Sequence, residues 1–248
     1  MTERLPDQLR NVTIEPFPTA AAGSVLITQG RTRVLCTASV EEQVPRWLID
    51  PATGEAGRGW VTAEYNMLPG STPERQRRGT SSRDTEIKRL IGRSLRAGVD
   101  LEKMPGLMIV CDCDVLYADG GTRTASITGA YVALCQALAT ARRQGRLTGD
   151  PLIGPVAAVS VGIVGRVCRL DLDYPLDSRA EVDMNVVMNA AGAFIEVQGT
   201  GEQGTFTRSE LDELLELASG GIRQLIGKQE TAIAALPAAP AEGPDAVN

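Results

Sequence analysis

Residues 118–124, Ala118-Asp119-Gly120-Gly121-Thr122-Arg123-Thr124, stand where an apolar run gives way to an amphipathic one. Paired glycines let the backbone turn sharply and let a ligand approach without meeting a Cβ. Thr122, Arg123 and Thr124 then fall at a helix start, where unpaired N–H groups and the positive end of the helix dipole favour an anion. A phosphate group would suit this corner. Asp-Gly-Gly-Thr also makes an ordinary turn with a helix cap, so the motif by itself permits either reading.

A second stretch with chemical potential is 177–185, Asp177-Ser178-Arg179-Ala180-Glu181-Val182-Asp183-Met184-Asn185. Asp177 and Asp183 share parity, but six extended residues would hold them about 20 Å apart. A turn across 175–179 would bring them together as a hard oxygen site for Mg²⁺, which takes one or two carboxylates plus water and substrate oxygens. The competing reading is a solvated acidic turn with Arg179 as its internal partner. Asp112 and Asp114 alternate along another run; they could bind a metal or merely face polar loops or a neighbouring chain, and their spacing does not choose.

The third stretch is basic. Between positions 75 and 96 stand Arg75, Arg77, Arg78, Arg83, Lys88, Arg89, Arg93 and Arg96, opposed only by Asp84 and Glu86. Such a run is either a solvated face or a docking strip for a polyanion. Its arginine-rich loop favours the polyanion. The whole chain carries a net charge of −6, which argues against a whole-surface nucleic-acid binder and confines any such contact to this strip.

What is missing narrows the chemistry further. The chain has no histidine, which removes the commonest general base and the commonest transition-metal ligand. Five cysteines, Cys36, Cys111, Cys113, Cys135 and Cys168, lack C-x-x-C spacing and sit among apolar neighbours, as buried thiols do. Catalysis must therefore run on carboxylates, cations, hydroxyls or a hard metal ion. The first residues are polar and the longest apolar run, 156–164, is too short to cross a bilayer, so the expectation is a cytoplasmic protein with no membrane partner.

The elements that must position these groups follow from periodicity. Residues 1–22 read as Pro-rich and irregular; 24–27 and 33–40 as a hairpin around Gly30-Arg31; 60–67 as a strand; 68–82 as loop. Over 85–99 Ile87, Leu90, Ile91 and Leu95 form one helical stripe opposite Arg89, Arg93 and Arg96. A strand at 107–116 leads into the glycine corner, and Ile127, Tyr131, Leu134, Leu138 and Ala141 mark the core stripe of a long helix ending near Gln144-Gly145. Residues 150–155 read as a linker between halves at about 9–149 and 155–233 of one catalytic domain spanning 1–233. The second half carries a hairpin (156–164 and 167–172), strands at 181–188 and 194–198, and a helix opened by the capping box Thr207-Arg208-Ser209-Glu210. Residues 234–248, rich in Ala and Pro, read as a disordered tail.

Several long blocks then occur in a recognisable order: GSVLITQGRTRVLCTASVEEQVP at 23–45, GWVTAEYNMLP at 59–69, EIKRLIGRSLRAGVDL at 86–101, DCDVLYADGGTRTASITGAYVAL at 112–134, DSRAEVDMNVVMN at 177–189 and VQGTGE at 197–202. On these blocks the chain resembles the bacterial ribonuclease PH family from about residue 9 to residue 226. The resemblance implies an α/β (α+β) fold of two β-α halves related to a ribosomal-protein-like fold. It implies a phosphate-dependent 3′ to 5′ exoribonuclease and nucleotidyltransferase that trims the 3′ ends of transfer RNA precursors, acts on ribosomal RNA, and assembles as a homohexameric ring, a trimer of dimers. Inorganic phosphate is the co-substrate and Mg²⁺ or Mn²⁺ the metal.

By the same resemblance, Arg83, placed just before the basic helix, would join Gly121, Thr122 and Arg123 in holding the attacking phosphate. Asp177 and Asp183 would hold the metal, one of them also aiding proton transfer to the leaving 3′ oxygen, and Arg75, Arg77 and Arg78 would hold transfer RNA. The chain departs from the family pattern in three places. Ser82-Arg83-Asp84-Thr85-Glu86 lacks the usual glycine before the arginine and the Thr-Gln after it, the arginine loop is several residues shorter, and the start lacks Asp-Gly-Arg. Catalytically silent ring subunits that bind RNA, and hydrolytic metal-dependent nucleases, are the alternatives from other classes.

Overall fold

Helix α2 (Thr122–Arg143) is the centre of the molecule, and it is buried on nearly every side. Small residues make this possible. A Cβ on Gly129 would lie 2.7 Å from Ile27 Cγ2 and 2.8 Å from Cys36 Sγ, so only glycine lets the first sheet approach so closely. The single core stripe expected for this helix is therefore only one of its packed faces, because the helix lies against strands of both sheets. The computed structural model describes residues 4–79 and 81–235.

The first sheet contains β1 (Val12–Pro16), β2 (Gly23–Gln29), β3 (Thr32–Glu41), β4 (Trp60–Met67) and β5 (Met108–Tyr117), in the order β1-β2-β3-β5-β4. All pairs are antiparallel except β4 with β5, which are joined through helix α1 (Ser82–Arg96) as a parallel pair requires. Strand β1 lies within residues expected to be irregular. Val12 and Ile14 pair with Gln29 and Ile27, and Pro16 is tolerated because the strand is at the edge.

The second sheet has the order β7-β6-β8-β9, built from β6 (Val156–Val164), β7 (Val167–Leu170), β8 (Val182–Asn189) and β9 (Phe194–Gly201), all antiparallel. The β6–β7 turn is Gly165-Arg166, both at positive φ (60° and 63°), the signature of a two-residue hairpin whose twist matches its strands. Strand β7 stops two residues short of the expected 172, because Asp171 turns to φ 58°. A short helix, α3 (Tyr174–Asp177), capped by Asp173 on the Leu176 amide, makes the turn required between Asp177 and Asp183.

Helix α4 (Arg208–Ala234) opens with the expected reciprocal capping box of Thr207 and Glu210, and packs on β6, β7 and β8. It runs one residue into the stretch expected as a disordered tail; residues 236–248 lie outside the described residues. The connecting segment 150–155 is tied down, with Asp100 N bonded to Pro151 O and Ile153 N to Gly98 O. One continuous apolar core draws on both sheets, and among the described residues no helix is long and apolar enough to cross a membrane.

Candidate active site

The corner between β5 and α2 is formed by Gly120 (φ 74°) and Gly121 (φ 68°). Both are in the left-handed region, and a Cβ on Gly120 would also lie 2.6 Å from Leu172 O, so the corner packs directly on the chain that leads to Asp177. Gly121 is the residue before the helix, and no side chain caps it. The alternative of a simple capped turn does not hold, and the first amides of α2 remain available to an anion.

Buried polar groups hold this corner in place. Arg10 donates from Nη1 to Asp119 O at 2.6 Å and grips the fully buried Asp171 with Nε (3.0 Å) and Nη2 (2.6 Å). Gln29 Nε2 donates to Asp171 Oδ1, and Thr32 Oγ1 donates to Gly120 O at 2.7 Å. Tyr65, buried in β4, lies 2.9 Å from Thr122 Oγ1 through its hydroxyl, and burial raises its pKa, so the phenol stays protonated. Thr122 thus has its hydroxyl oriented from the core side.

Arg123 follows in the first turn of α2. Its Nη1 donates to Gln198 Oε1 at 2.9 Å and to Glu86 Oε1 at 3.3 Å. Arg83 corrects one expectation: it lies inside the first turn of α1 rather than before the helix. Ser81 and Asp84 form a reciprocal capping box that starts α1 at Ser82, three residues earlier than the apolar stripe suggested. Asp84, one of the departures from the family pattern, is the residue that closes that box. The Arg83 side chain is exposed and makes no hydrogen bond or ion pair with another described residue.

Asp177 and Asp183 meet as the turn at α3 allows. Burial first and then the negative charge of Asp177 push the Asp183 carboxyl up to about 6, against the opposing cations Arg123 and Arg83. Asp177 is also raised by burial, against the pull of Arg83 and Arg123. Glu202, just beyond β9, raises both. The structure thus gathers Arg83, Gly121, Thr122, Arg123, Asp177 and Asp183 around one site. Arg179 donates instead to Pro175 O, so the acidic-turn alternative loses its partner.

Neither Asp177 nor Asp183 receives a side-chain hydrogen bond or ion pair from a described residue. Two unpartnered, mutually repelling hard carboxylates fit a divalent cation of the Mg²⁺ or Mn²⁺ kind. Among the described residues no group of three or more Asp, Glu, Cys or His could by itself hold a metal ion, so further ligands would come from water and substrate.

The basic strip is less available than its composition suggests. Lys88 pairs with Glu64, Arg93 makes a bidentate pair with Glu196, and Arg96 donates to Val61 O while lying 4.3 Å over the Trp60 ring. Arg75, Arg77 and Arg78 are exposed in the loop before α1, and unlike Arg83 and Arg123 their charges do not register at Asp177 or Asp183. Asp112 and Asp114 are half-buried on β5, each raised by burial, and take no part in this site.

Sequence reasoning missed Arg10, Asp171, Tyr65, Gln198 and Glu202, and treated Glu86 only as a counter-charge. An aspartate at the end of an apolar strand was the one local signal for Asp171; nothing local marks Arg10 or Gln198.

Two sheets sharing a buried helix carry an uncapped glycine corner near a carboxylate pair, an arrangement suited to a protein that handles phosphate groups. The chain belongs to the 3′ exoribonuclease family: that family's domain 1 matches residues 8–139 and its domain 2 residues 154–221. It is 56% identical to ribonuclease PH of Corynebacterium efficiens over 93% of this chain and 94% of that one. To ribonuclease PH of Crocosphaera subtropica it is 53% identical, covering 93% and 95%. Among solved structures, the Archaeoglobus fulgidus exosome with RNA bound to the active site shares the fold at a TM-score of 0.78 and 23% identity, over 91% of this chain and 90% of that one. Rice Rrp46 does so at 0.74 and 17%, over 93% and 98%.

Proposed function

We propose that this chain shortens RNA from its 3′ end by phosphorolysis, and that transfer RNA precursors are its principal substrate. The observation that carries the reading is that Arg83 and Arg123 act electrostatically on the same carboxylate pair, beside an uncapped helix start. A phosphate seated at Gly121, Thr122 and Arg123, and held from the other side by Arg83, would stand next to a terminal phosphodiester oriented by Asp177 and Asp183.

A phosphate oxygen then attacks the phosphorus, the bond from phosphorus to the 3′ oxygen of the penultimate nucleotide breaks, and a nucleoside diphosphate leaves. The shortened RNA regains a 3′ hydroxyl, and reversal of the step adds a nucleotide. In-line positioning and charge neutralisation dominate such a transfer, so a chain without histidine is equipped for it. Planar guanidinium groups give the charge-assisted, directional contacts that phosphate needs. One of the two aspartates would also aid proton transfer to the departing 3′ oxygen. A Mg²⁺ or Mn²⁺ ion held by Asp177 and Asp183 would supply Lewis-acid stabilisation of the scissile phosphate. The exposed Arg75, Arg77 and Arg78 hold the body of the RNA, and the chain works as a homohexameric ring.

The test is incubation of the purified protein with a 3′-extended transfer RNA, with and without inorganic phosphate, followed by identification of the released nucleotide. Phosphate-dependent release of nucleoside diphosphates is the expected result. Monophosphates released without phosphate would make the protein a hydrolytic nuclease, and RNA retention without release would make it a silent ring subunit. Light scattering on the same preparation reads the oligomeric state.

A further inference from the structure

Three side chains from three distant parts of the chain close a ring around one guanidinium nitrogen. Arg123 Nη1, on α2, donates to Glu86 Oε1 on α1 and to Gln198 Oε1 on β9, while Gln198 Nε2 donates to the same Glu86 oxygen at 3.0 Å. Only one orientation of the Gln198 amide satisfies the ring: reversed, its NH₂ would face the guanidinium and its oxygen would face the carboxylate. Arg123 Nε and Nη2 make no hydrogen bond to a described residue. One corner of the guanidinium plane is thus tied to the protein, and the remaining donors are left for a ligand.

From this geometry we infer that Gln198 and Glu86 are positioning residues for phosphate, acting through Arg123. The inference rests on the reading of Arg123 as a phosphate ligand. An arginine side chain free to rotate must be ordered when the anion binds, at an entropic cost of about 2 kcal/mol. The ring removes part of that cost beforehand and sets the plane in which the remaining donors can meet phosphate oxygens in pairs. It also explains how the second sheet, which contributes Asp183, controls a residue of the first half: Gln198 lies opposite Asn185 in the β8–β9 register, one alternation along from Asp183 and Thr200.

The neighbouring pair Arg93–Glu196 joins the same two elements, α1 and β9; the Arg93 charge acts on Glu86, whereas Glu196 makes no hydrogen bond to the ring, so Glu196 supplies the control. Phosphorolysis kinetics with phosphate as the varied substrate should show Gln198→Ala and Glu86→Gln raising KM for phosphate roughly tenfold, as expected for a hydrogen bond to a charged group, with kcat changed far less. Glu196→Ala, which breaks the same docking contact and keeps the Arg93 charge, should leave KM for phosphate unchanged. In an Arg123→Ala background, itself slower by on the order of 10³-fold, Gln198→Ala should add nothing.

The outcomes separate. If Arg123→Ala does not impair use of phosphate, the reading of the site fails. If Arg123→Ala does impair it but Gln198→Ala and Glu86→Gln leave KM unchanged, the positioning role fails. A lower KM in Glu86→Gln would show that Glu86 competes with phosphate for Arg123, which also overturns the inference. A Glu196→Ala effect equal to that of Gln198→Ala would reduce the ring to general docking of α1 on β9. Melting curves for each variant confirm that the comparisons are made on folded protein.

Discussion

Arg10 and Asp171 form a bidentate ion pair in the interior, with side chains 7% and 0% exposed, and the same guanidinium holds the carbonyl of Asp119. One end of this contact is the turn after β7, six residues before Asp177; the other is the glycine corner at Asp119 and Gly120. The two halves of the site are therefore joined through a charge pair that never needs to meet substrate. Such a pair is tolerated because nearly every polar atom has a partner: Asp171 also accepts from Arg10 N and Gln29 Nε2.

Arg10→Met should destabilise the protein by about 3–5 kcal/mol in denaturant unfolding, since it leaves the buried Asp171 carboxylate with only the longer 3.6 Å contact to Arg4. Adding Asp171→Leu should restore much of that stability. KM for phosphate should nevertheless stay raised in the double variant, because the Asp119 carbonyl remains untied. A double variant with ordinary kinetics would confine the pair to a folding role.

Tyr65→Phe removes one hydroxyl from a buried pair and leaves Thr122 Oγ1 without its core-side partner. The expected loss is about 1 kcal/mol of stability with a several-fold rise in KM for phosphate, read by thermal melting and by kinetics. Thr122→Val in the same background should add little further.

The Asp183 carboxyl, at about 6 in the folded protein against an ordinary 3.8, binds its proton more tightly folded than unfolded. Stability should therefore fall as pH rises from about 4 to about 6, by on the order of 3 kcal/mol, and be regained on acidification through that window. Asp183→Asn should flatten that slope in pH-dependent unfolding while abolishing turnover. An unchanged slope would assign the titration elsewhere.

Cutting back Arg75, Arg77 and Arg78 together should lower the slope of log affinity against log salt for transfer RNA by roughly two, the value for three phosphate contacts on a flexible strand. A slope unchanged within error would mean that this loop is only a solvated run of charge.

Much of this was readable along the chain, because it depends on residues close in sequence. The glycine corner, the turn before Asp183, the Thr207 capping box and the β6–β7 hairpin each follow from local backbone preference and hydrogen bonding within a few positions. The start of α1 was misjudged because apolar periodicity marks the face that packs, whereas Ser81 and Asp84 set the helix end by capping. The availability of the basic strip was overestimated for a different reason: Glu64, Glu196 and Trp60 are distant in sequence from the cations they hold.

By itself the sequence determined the residue types on which the chemistry rests: an anion corner, two hard carboxylates, arginines and no histidine. Only the tertiary structure decided that Asp177 and Asp183 repel one another in a half-buried site, that Arg10 reaches Asp171 across 161 positions, and that Gln198 and Glu86 aim Arg123. The physical reason is that local rules fix backbone direction over a few residues, whereas desolvation and side-chain hydrogen bonding act between whatever groups the packed sheets bring together. The family blocks named the parts of the site; the packing of α1, α2 and β9 determined how one of those parts is held.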